Sequence, residues 1–247
     1  MTTSPEERPI VTIEGLTKAY GYLPVLRSLD LEVQRGECVA LLGANGSGKS
    51  TLLRLISGLI KPSGGRILVG GWEMPHQAAA VRGHIGMVSH KALLYSNLTA
   101  RENLAFFARL YNVPASERDA HIEALLARVG LSKRADSLVR TFSRGMQQRL
   151  SIARALLPKP DVLLFDEPYT GLDQDASLVL DEILRQTHAE GHTMLMATHL
   201  LERAARIASR VIILNRGQIA LDVPTSQLGE EDIALRYAAA TGGAVPS

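Results

Sequence analysis

The first third of the chain alternates apolar and polar positions in short runs that predict β-strands. Residues 10–16 (IVTIEGL) and 25–33 (VLRSLDLEV) alternate with a period of two, as strands with one exposed face do. Residues 37–43 (ECVALLG) are almost continuously apolar, which is typical of a strand buried on both faces. From Lys49 the apolar residues recur every three or four positions, which predicts a helix that ends near Gly58.

In the rest of the chain the hydrophobic pattern is first helical and then predicts strands again. Residues 98–157 carry apolar positions mostly at helical spacing, whereas residues 161–168 (DVLLFDEP) and 193–199 (TMLMATH) again predict buried strands. A helix is predicted over 174–190, between these two strands, and a hairpin over 210–220. Strands that alternate with helices favour an α/β fold with a mostly parallel sheet, whose functional edge lies at the carboxyl ends of the strands.

Composition narrows the class of protein without identifying it. The chain has 247 residues, 46% of them hydrophobic and 21% charged, which is enough to bury a substantial core. Its net charge of +2 gives no reason to expect a nucleic-acid partner. No apolar run approaches the length of about 18 residues that a membrane-spanning helix needs. Cys38 is the only cysteine and lies in the buried pattern ECVALL, so we expect it to be a small core residue.

A glycine-rich motif, LLGANGSGKST, joins the predicted strand 37–43 to the predicted helix. Its G-x-x-x-x-G-K-S spacing, in a strand–loop–helix context, is typical of a loop whose backbone N–H groups cradle phosphates. We expect Lys49 to neutralise the β- and γ-phosphates and Ser50 to bind Mg²⁺. The residues that we expect to contact the nucleotide here are Gly43, Ala44, Asn45, Gly46, Ser47, Gly48, Lys49, Ser50 and Thr51. The alternative is a chance glycine-rich turn.

Acidic and imidazole side chains end the next two predicted buried strands. Asp166 and Glu167 close the strand VLLFDE, and His199 closes the strand TMLMATH. Carboxylates are costly to bury without partners, so we expect Asp166 to hold Mg²⁺ through water and Glu167 to accept a proton from an attacking water. We expect His199 to contact the γ-phosphate. The alternatives are a solvated strand end for the two acids and an ordinary core or loop histidine.

Taken together, these motifs resemble the nucleotide-binding subunit of ATP-binding cassette (ABC) transporters over about residues 10–228. The resemblance implies a P-loop NTPase core with a mostly parallel sheet, an N-terminal antiparallel β subdomain and a helical insertion. It also implies an ATPase whose cofactors are ATP and Mg²⁺. Tyr20 matches the aromatic residue that stacks on adenine in this family, although an ordinary tyrosine at a strand end is the alternative.

The family signature is present in a modified form. The segment FSRGM keeps the serine and second glycine of the family pattern as Ser143 and Gly145, whereas Arg144 replaces a glycine. The resemblance implies that Ser143, Arg144 and Gly145 face a γ-phosphate bound by a second copy of the chain, where Arg144 adds a cation. An ordinary helix start is the alternative. Asp173, in TGLD, matches the segment that crosses to the partner subunit.

His90 occupies the position where the family usually has a glutamine. The resemblance implies that His90 contacts Mg²⁺ and its bound water, so we expect it to be both a metal-site and a catalytic residue. A solvent-exposed hinge residue is the alternative. The same comparison implies a single nucleotide-binding domain over 1–247, with a helical subdomain at about 91–158 and a short flexible tail over 229–247.

The resemblance also implies a role in transport. We expect a peripheral protein at the cytoplasmic face of the membrane, which acts as a homodimer with a separate transmembrane permease. Leu93, Leu94 and Tyr95 are the expected docking residues for the permease, and packing under the helical insertion is their alternative role. The combination of variant motifs is similar to the ATPase subunit of the haem exporters of cytochrome c maturation. A generic drug or polysaccharide exporter, and a soluble ABC ATPase that acts on nucleic acid, are the alternatives.

Overall fold

The computed structural model describes residues 8–89, 92–227 and 230–242. The strands are β1 (Val11–Tyr20), β2 (Leu23–Val33), β3 (Cys38–Leu42), β4 (Gly64–Val69), β5 (Trp72–Met74), β6 (Ile85–Val88), β7 (Val162–Asp166), β8 (Thr193–Ala197), β9 (Arg210–Asn215) and β10 (Gln218–Pro224). The α-helices are α1 (Lys49–Ile56), α2 (Ala78–Val81), α3 (Ala100–Leu110), α4 (Ala115–Arg128), α5 (Arg144–Leu156), α6 (Gln174–Ala189), α7 (Leu201–Ile207) and α8 (Glu230–Thr241).

The strands form two sheets. Strands β2, β1, β4 and β5 form an antiparallel sheet in that order, and their alternating pattern leaves one face on the core. The other sheet has the order β10-β9-β3-β8-β7-β6, in which only the β9–β10 pair is antiparallel. The fold is therefore α/β with a mostly parallel central sheet, as the sequence pattern predicts.

The central strands explain where the site lies. Every residue of β3, β7 and β8 is buried, which accounts for their almost continuous apolar sequences. Because β3, β8 and β7 are parallel neighbours, their carboxyl ends meet at one edge of the sheet. The phosphate-binding motif follows β3, Glu167 follows β7 and His199 follows β8 at that edge.

Helices α3, α4 and α5 form the middle of the chain and share a core with the central sheet. Helix α3 begins after Thr99, whose side chain accepts a hydrogen bond from the Glu102 N–H while the Glu102 carboxylate accepts one from the Thr99 N–H. This reciprocal capping satisfies two donors at the start of the helix. Within the described residues, no helix has both the length and the apolar character needed to cross a membrane.

The structure differs from the sequence-based expectation at the C-terminal tail. Residues 230–241 form helix α8, and the side chains of Ile233 and Tyr237 are 2% and 3% exposed. The amide of Asn215 also donates a hydrogen bond to the Ala240 carbonyl, at 2.7 Å. Part of the segment expected to be a flexible tail is therefore helical, with two side chains one helical turn apart buried against the core. His90 lies outside the described residues.

Candidate nucleotide-binding and hydrolysis site

The loop between β3 and α1 can only be built with glycine at two of its positions. Gly43 has φ +154°, and a Cβ there would lie 2.4 Å from the Leu214 carbonyl oxygen. Gly48 has φ +111°, and a Cβ there would lie 2.7 Å from Leu26 Cδ2. The loop therefore turns tightly against strands β9 and β2, which leaves its backbone N–H groups at the start of α1.

Lys49 is held inside this turn. Its Nζ donates to the carbonyl oxygens of Gly43 at 2.6 Å and Ala44 at 3.2 Å, and the residue is only 6% exposed. Burial lowers the pKa of Lys49, whereas the carboxylates of Glu167 and Asp166 act in the opposite direction. These carboxylates help to keep the buried ammonium charged at the centre of the turn, where it can neutralise a phosphate.

The hydroxyl of Ser47 packs inside the same loop. Ser47 Oγ is buried and makes no hydrogen bond with any of the described residues. A Cβ on Gly43 would lie 2.5 Å from this oxygen, so the hydroxyl occupies space that the glycine leaves open. A polar group that is buried without a partner is uncommon in a folded protein.

Ser50 and Asp166 form the candidate metal site. Ser50 Oγ donates to Asp166 Oδ1 at 2.6 Å, which brings two hard oxygen ligands together at the end of β7. Among the described residues, no group of three or more His, Cys, Asp or Glu side chains is arranged to hold a metal. Mg²⁺ suits such a sparse site, because it usually takes one or two protein oxygens and completes its shell with water and phosphate.

Glu167 and His199 form a second pair at this edge. His199 Nδ1 lies 2.9 Å from Glu167 Oε2, and the side chains are 43% and 20% exposed. Glu167 has φ +53°, which is rare for a residue with a side chain, and its N–H donates to the Ala197 carbonyl at 2.9 Å. The carboxylates of Asp166 and Glu167 have different partners, Ser50 and His199, so the two acids can have different tasks. A carboxylate held in this way can accept a proton from water.

A cluster that sequence reasoning missed lies behind this pair. The Tyr169 hydroxyl donates to Asp181 Oδ1 at 2.7 Å, and Arg203 donates to Asp181 Oδ2 at 2.6 Å. Burial and the neighbouring Asp181 raise the pKa of Tyr169. The cluster ties the segment after Glu167 to α6 and α7. The sequence did contain a signal for this cluster. Asp181 lies inside the apolar run LVLDEIL, and a buried carboxylate requires partners.

The signature segment occupies the first turn of α5. Ser143 is the N-cap, and its Oγ accepts a hydrogen bond from the Met146 N–H at 3.3 Å. A Cβ on Gly145 would lie 2.8 Å from the Cβ of Ala176 in α6. No hydrogen bond among the described residues joins Ser143 to the loop that holds Lys49. The structure therefore brings the Lys49 loop together with Asp166, Glu167 and His199 at the sheet edge. The signature segment lies at the start of α5.

Three other predicted residues differ in their exposure and in their partners. Tyr20 is 49% exposed, and Lys18 Nζ lies 4.9 Å from the centroid of its ring. Thr51 is partly exposed in α1. Asp173 is the N-cap of α6, and its carboxylate accepts a hydrogen bond from the Ala176 N–H at 2.8 Å. Within the chain, the carboxylate of Asp173 therefore caps a helix.

Comparison with known proteins identifies the family. Residues 26–170 match the family model described as "ABC transporter". The chain is 39% identical to Nod factor export ATP-binding protein I of Rhizobium meliloti (strain 1021), over 98% of this chain and 73% of the relative. It is 37% identical to the daunorubicin resistance ATP-binding protein DrrA3 of Streptomyces coeruleorubidus, over 95% of this chain and 76% of the relative.

Solved structures with the same architecture confirm the predicted fold class. One is cbiO1 from Clostridium perfringens, part of the ABC transporter complex cbiONQ, with a TM-score of 0.84, 28% identity and coverage of 94% of this chain and 95% of that chain. Another is a dimeric ATP-binding cassette in a post-hydrolysis state with bound ADP and Pi. Its TM-score is 0.79 at 28% identity, with coverage of 87% of this chain and 98% of that chain.

Proposed function

The chain belongs to the ABC transporter family as an ATP-binding subunit with ATPase activity, and we propose that it powers export through a separate membrane protein. The observation that carries the proposal is the meeting of the phosphate loop with Asp166, Glu167 and His199 at one sheet edge. In this proposal the loop and Lys49 bind the phosphates of ATP.

The remaining residues at this edge have separate roles in the proposal. Ser50 and Asp166 would hold Mg²⁺, which when bound supplies positive charge against the phosphates. Glu167 accepts the proton of the attacking water, and His199 orients the Glu167 carboxylate through their hydrogen bond. His90 remains a proposed contact to the metal-bound water.

The proposed active unit contains two copies of the chain. Ser143 lies on α5 and not at the phosphate loop, so a second copy is needed to bring a signature segment to the nucleotide. The dimeric cassette with bound ADP and Pi supports this arrangement by similarity. In the proposal, Ser143, Gly145 and the segment around Asp173 complete the partner's site.

A groove beside the helical region supports docking of a membrane partner. It has a volume of about 690 Å³, and its lining includes Leu93 and Tyr111. Leu93 and Tyr95 are 61% and 49% exposed, and the ring of Tyr95 packs edge-to-face on Phe106 at 4.9 Å. Leu94, in contrast, packs against the core. An exposed apolar surface of this kind suits a short helix from another protein.

The groove is held in shape by buried polar side chains. Arg154 donates to the carbonyl oxygens of Leu93 at 3.1 Å and Met87 at 2.8 Å, and it is 5% exposed. Asn103 is fully buried and exchanges two hydrogen bonds with the backbone of Tyr95. The apolar residues at the rim are therefore exposed on a rigid support, as expected of a binding surface.

The relatives favour one class of cargo. The names of the two relatives described above refer to Nod factor export and daunorubicin resistance, so we propose a drug or polysaccharide exporter. These names give no support to haem export. A haem-specific role is retained only as an outcome to be tested, by staining c-type cytochromes in cells that carry Lys49→Ala as the sole copy. Normal staining would rule out the haem-export hypothesis.

Substitution of the exposed Tyr95, which lies two positions after the groove residue Leu93, tests the coupling to a membrane partner. Tyr95→Asp should reduce co-purification of the chain with its native membranes at least fivefold, because a charge in a desolvated interface is costly. ATP binding by the isolated variant should stay close to that of the unchanged chain. Tyr22→Asp is the matched control, because Tyr22 is fully exposed in the β1–β2 turn. Equal recovery of all three proteins from membranes would reject the exposed surface around Tyr95 as part of the docking site.

A further inference from the structure

The side chain of Arg144 faces its own subunit. Its Nε donates to the Thr170 carbonyl oxygen at 2.8 Å. The guanidinium packs against Gly171, where a Cβ would lie 2.7 Å from Nε and 3.0 Å from Cζ. Gly171 also has φ +75°, which glycine adopts readily, and its lack of a Cβ leaves room for the arginine side chain.

The position of Arg144 in α5 makes this contact informative. Arg144 is the first residue of the helix, and the first turn contains no acidic residue. A cation is disfavoured at a helix N-terminus, because the backbone N–H groups there already carry partial positive charge. The hydrogen bond to the Thr170 carbonyl holds the guanidinium away from the helix axis and gives it an acceptor.

The same hydrogen bond leads to the proposed catalytic base. The Thr170 N–H donates to the Glu167 carbonyl at 3.2 Å, which closes the turn that begins at Glu167. Thr170 is therefore held on one side by Glu167 and on the other by Arg144. Two consecutive hydrogen bonds thus connect the first turn of α5 to the backbone of Glu167.

We propose that Arg144 is a positioning residue for ATP hydrolysis, which fixes the turn that carries Glu167 through its hydrogen bond to Thr170. The proposal rests on the proposed role of Glu167 and deepens it. It replaces the expectation that Arg144 adds a cation facing phosphate. Arg144 then affects the rate of the chemical step and leaves nucleotide affinity almost unchanged, because the backbone of Glu167 lies outside the phosphate loop.

Two substitutions separate positioning from charge. In Arg144→Gln the amide nitrogen occupies the same place along the side chain as Nε, so the hydrogen bond to Thr170 is kept and the charge is lost. In Arg144→Lys the charge is kept, but a methylene replaces Nε. We expect kcat to fall on the order of tenfold in Arg144→Ala and Arg144→Lys, equivalent to about 1.4 kcal/mol, while KM for ATP changes less than twofold. Arg144→Gln should retain most of the activity.

The opposite order would overturn the proposal. If Arg144→Lys retains activity while Arg144→Gln and Arg144→Ala raise KM, the side chain acts as a cation on phosphate. Unchanged kinetics in all three variants would also overturn it. Arg140→Ala is the matched control, because it removes an exposed arginine from the short 3₁₀ helix before Ser143.

A double-mutant cycle with Gly171 gives a second test that does not depend on charge. Gly171→Ala places a Cβ against the guanidinium, so its effect on kcat should be larger in the unchanged chain than in Arg144→Ala. Additive effects would contradict the contact. Glu167→Gln is measured beside these variants. If Glu167→Gln keeps the full rate, Glu167 is not the base, whatever the Arg144 variants do. Failure of the proposed function is thereby distinguished from failure of the proposed role of Arg144.

Discussion

The hydroxyl of Ser50 lies 2.6 Å from Oδ1 of Asp166, although the two residues are 116 positions apart in the chain. The contact joins the first turn of α1 to the end of β7. It places two oxygen ligands beside the loop that holds Lys49, as a site for a metal–nucleotide complex requires.

Lys49→Ala should abolish most of the stabilisation that Mg-ATP gives to the folded chain. The unchanged chain should gain about 2.7 kcal/mol when free ATP is a hundredfold above its dissociation constant. The variant removes the cation of the phosphate loop, so its thermal midpoint should hardly change with ATP. Thermal unfolding with and without Mg-ATP measures the effect. Lys133→Ala, which alters an exposed lysine in another part of the chain, should respond like the unchanged protein, and equal stabilisation of Lys49→Ala would refute the site.

Glu167→Gln should bind ATP but hydrolyse it on the order of a hundredfold to ten-thousandfold more slowly, because the amide cannot accept the proton from water. The variant should also accumulate as a dimer in Mg-ATP, since a nucleotide that is not cleaved keeps two subunits together. Light scattering after gel filtration measures the mass. Glu182→Gln changes an exposed glutamate of α6 and is the control. A variant saturated with ATP that stays monomeric at high concentration would contradict an ATP-dependent dimer of the isolated chain.

Two inactive variants should complement each other if the sites are shared between subunits. Lys49→Ala damages the phosphate loop of its own chain, and Ser143→Ala damages the signature that serves the partner. A mixed dimer keeps one intact site, so random mixing should restore about a quarter of the sites. ATPase assays of the separate and mixed variants decide the question. A mixture no more active than its components would argue against the head-to-tail arrangement.

Gly145→Ala should destabilise the fold by about 1–3 kcal/mol through overpacking, because the new methyl meets the Ala176 side chain. Ala176→Gly removes that neighbour and should restore part of the lost stability in the double variant. Chemical denaturation measures both free energies. If Ala176→Gly restores nothing, the glycine is not needed for the contact between α5 and α6.

Cys38 should contribute to stability in a pH-dependent manner. Burial raises its pKa from 9.0 to about 12. The unfolded chain therefore loses this proton at lower pH than the folded chain, so the contribution is complete below pH 9 and is lost as the pH rises towards about 12. Between these values the free energy of unfolding should fall about 1.4 kcal/mol per pH unit more steeply than in Cys38→Ala. Parallel pH profiles for the two proteins would show that the thiol is not protected.

Local chemistry made much of the site predictable. The loop from Gly43 to Ser50 is specified by the spacing of its glycines, its lysine and its serine, and its strand–loop–helix context depends on neighbouring residues only. Asp166 and Glu167 are adjacent and end a run of apolar residues, so their common edge follows from the rule for parallel strands. The α/β class and most element positions follow from the same short-range periodicities.

Tertiary structure decided the contacts between elements that are distant in sequence. Arg144 turns to Thr170, and the methyl group of Ala176 approaches Gly145. Neither contact is encoded by a local spacing, because each depends on how α5 packs against α6 and the segment before it. The buried side of α8 was missed for the same reason. The sequence by itself determined which residues lie in the loop and at the strand ends. The packing of the helices around them decided the orientation of each side chain, because a side chain can bond only to a partner that the fold brings within reach.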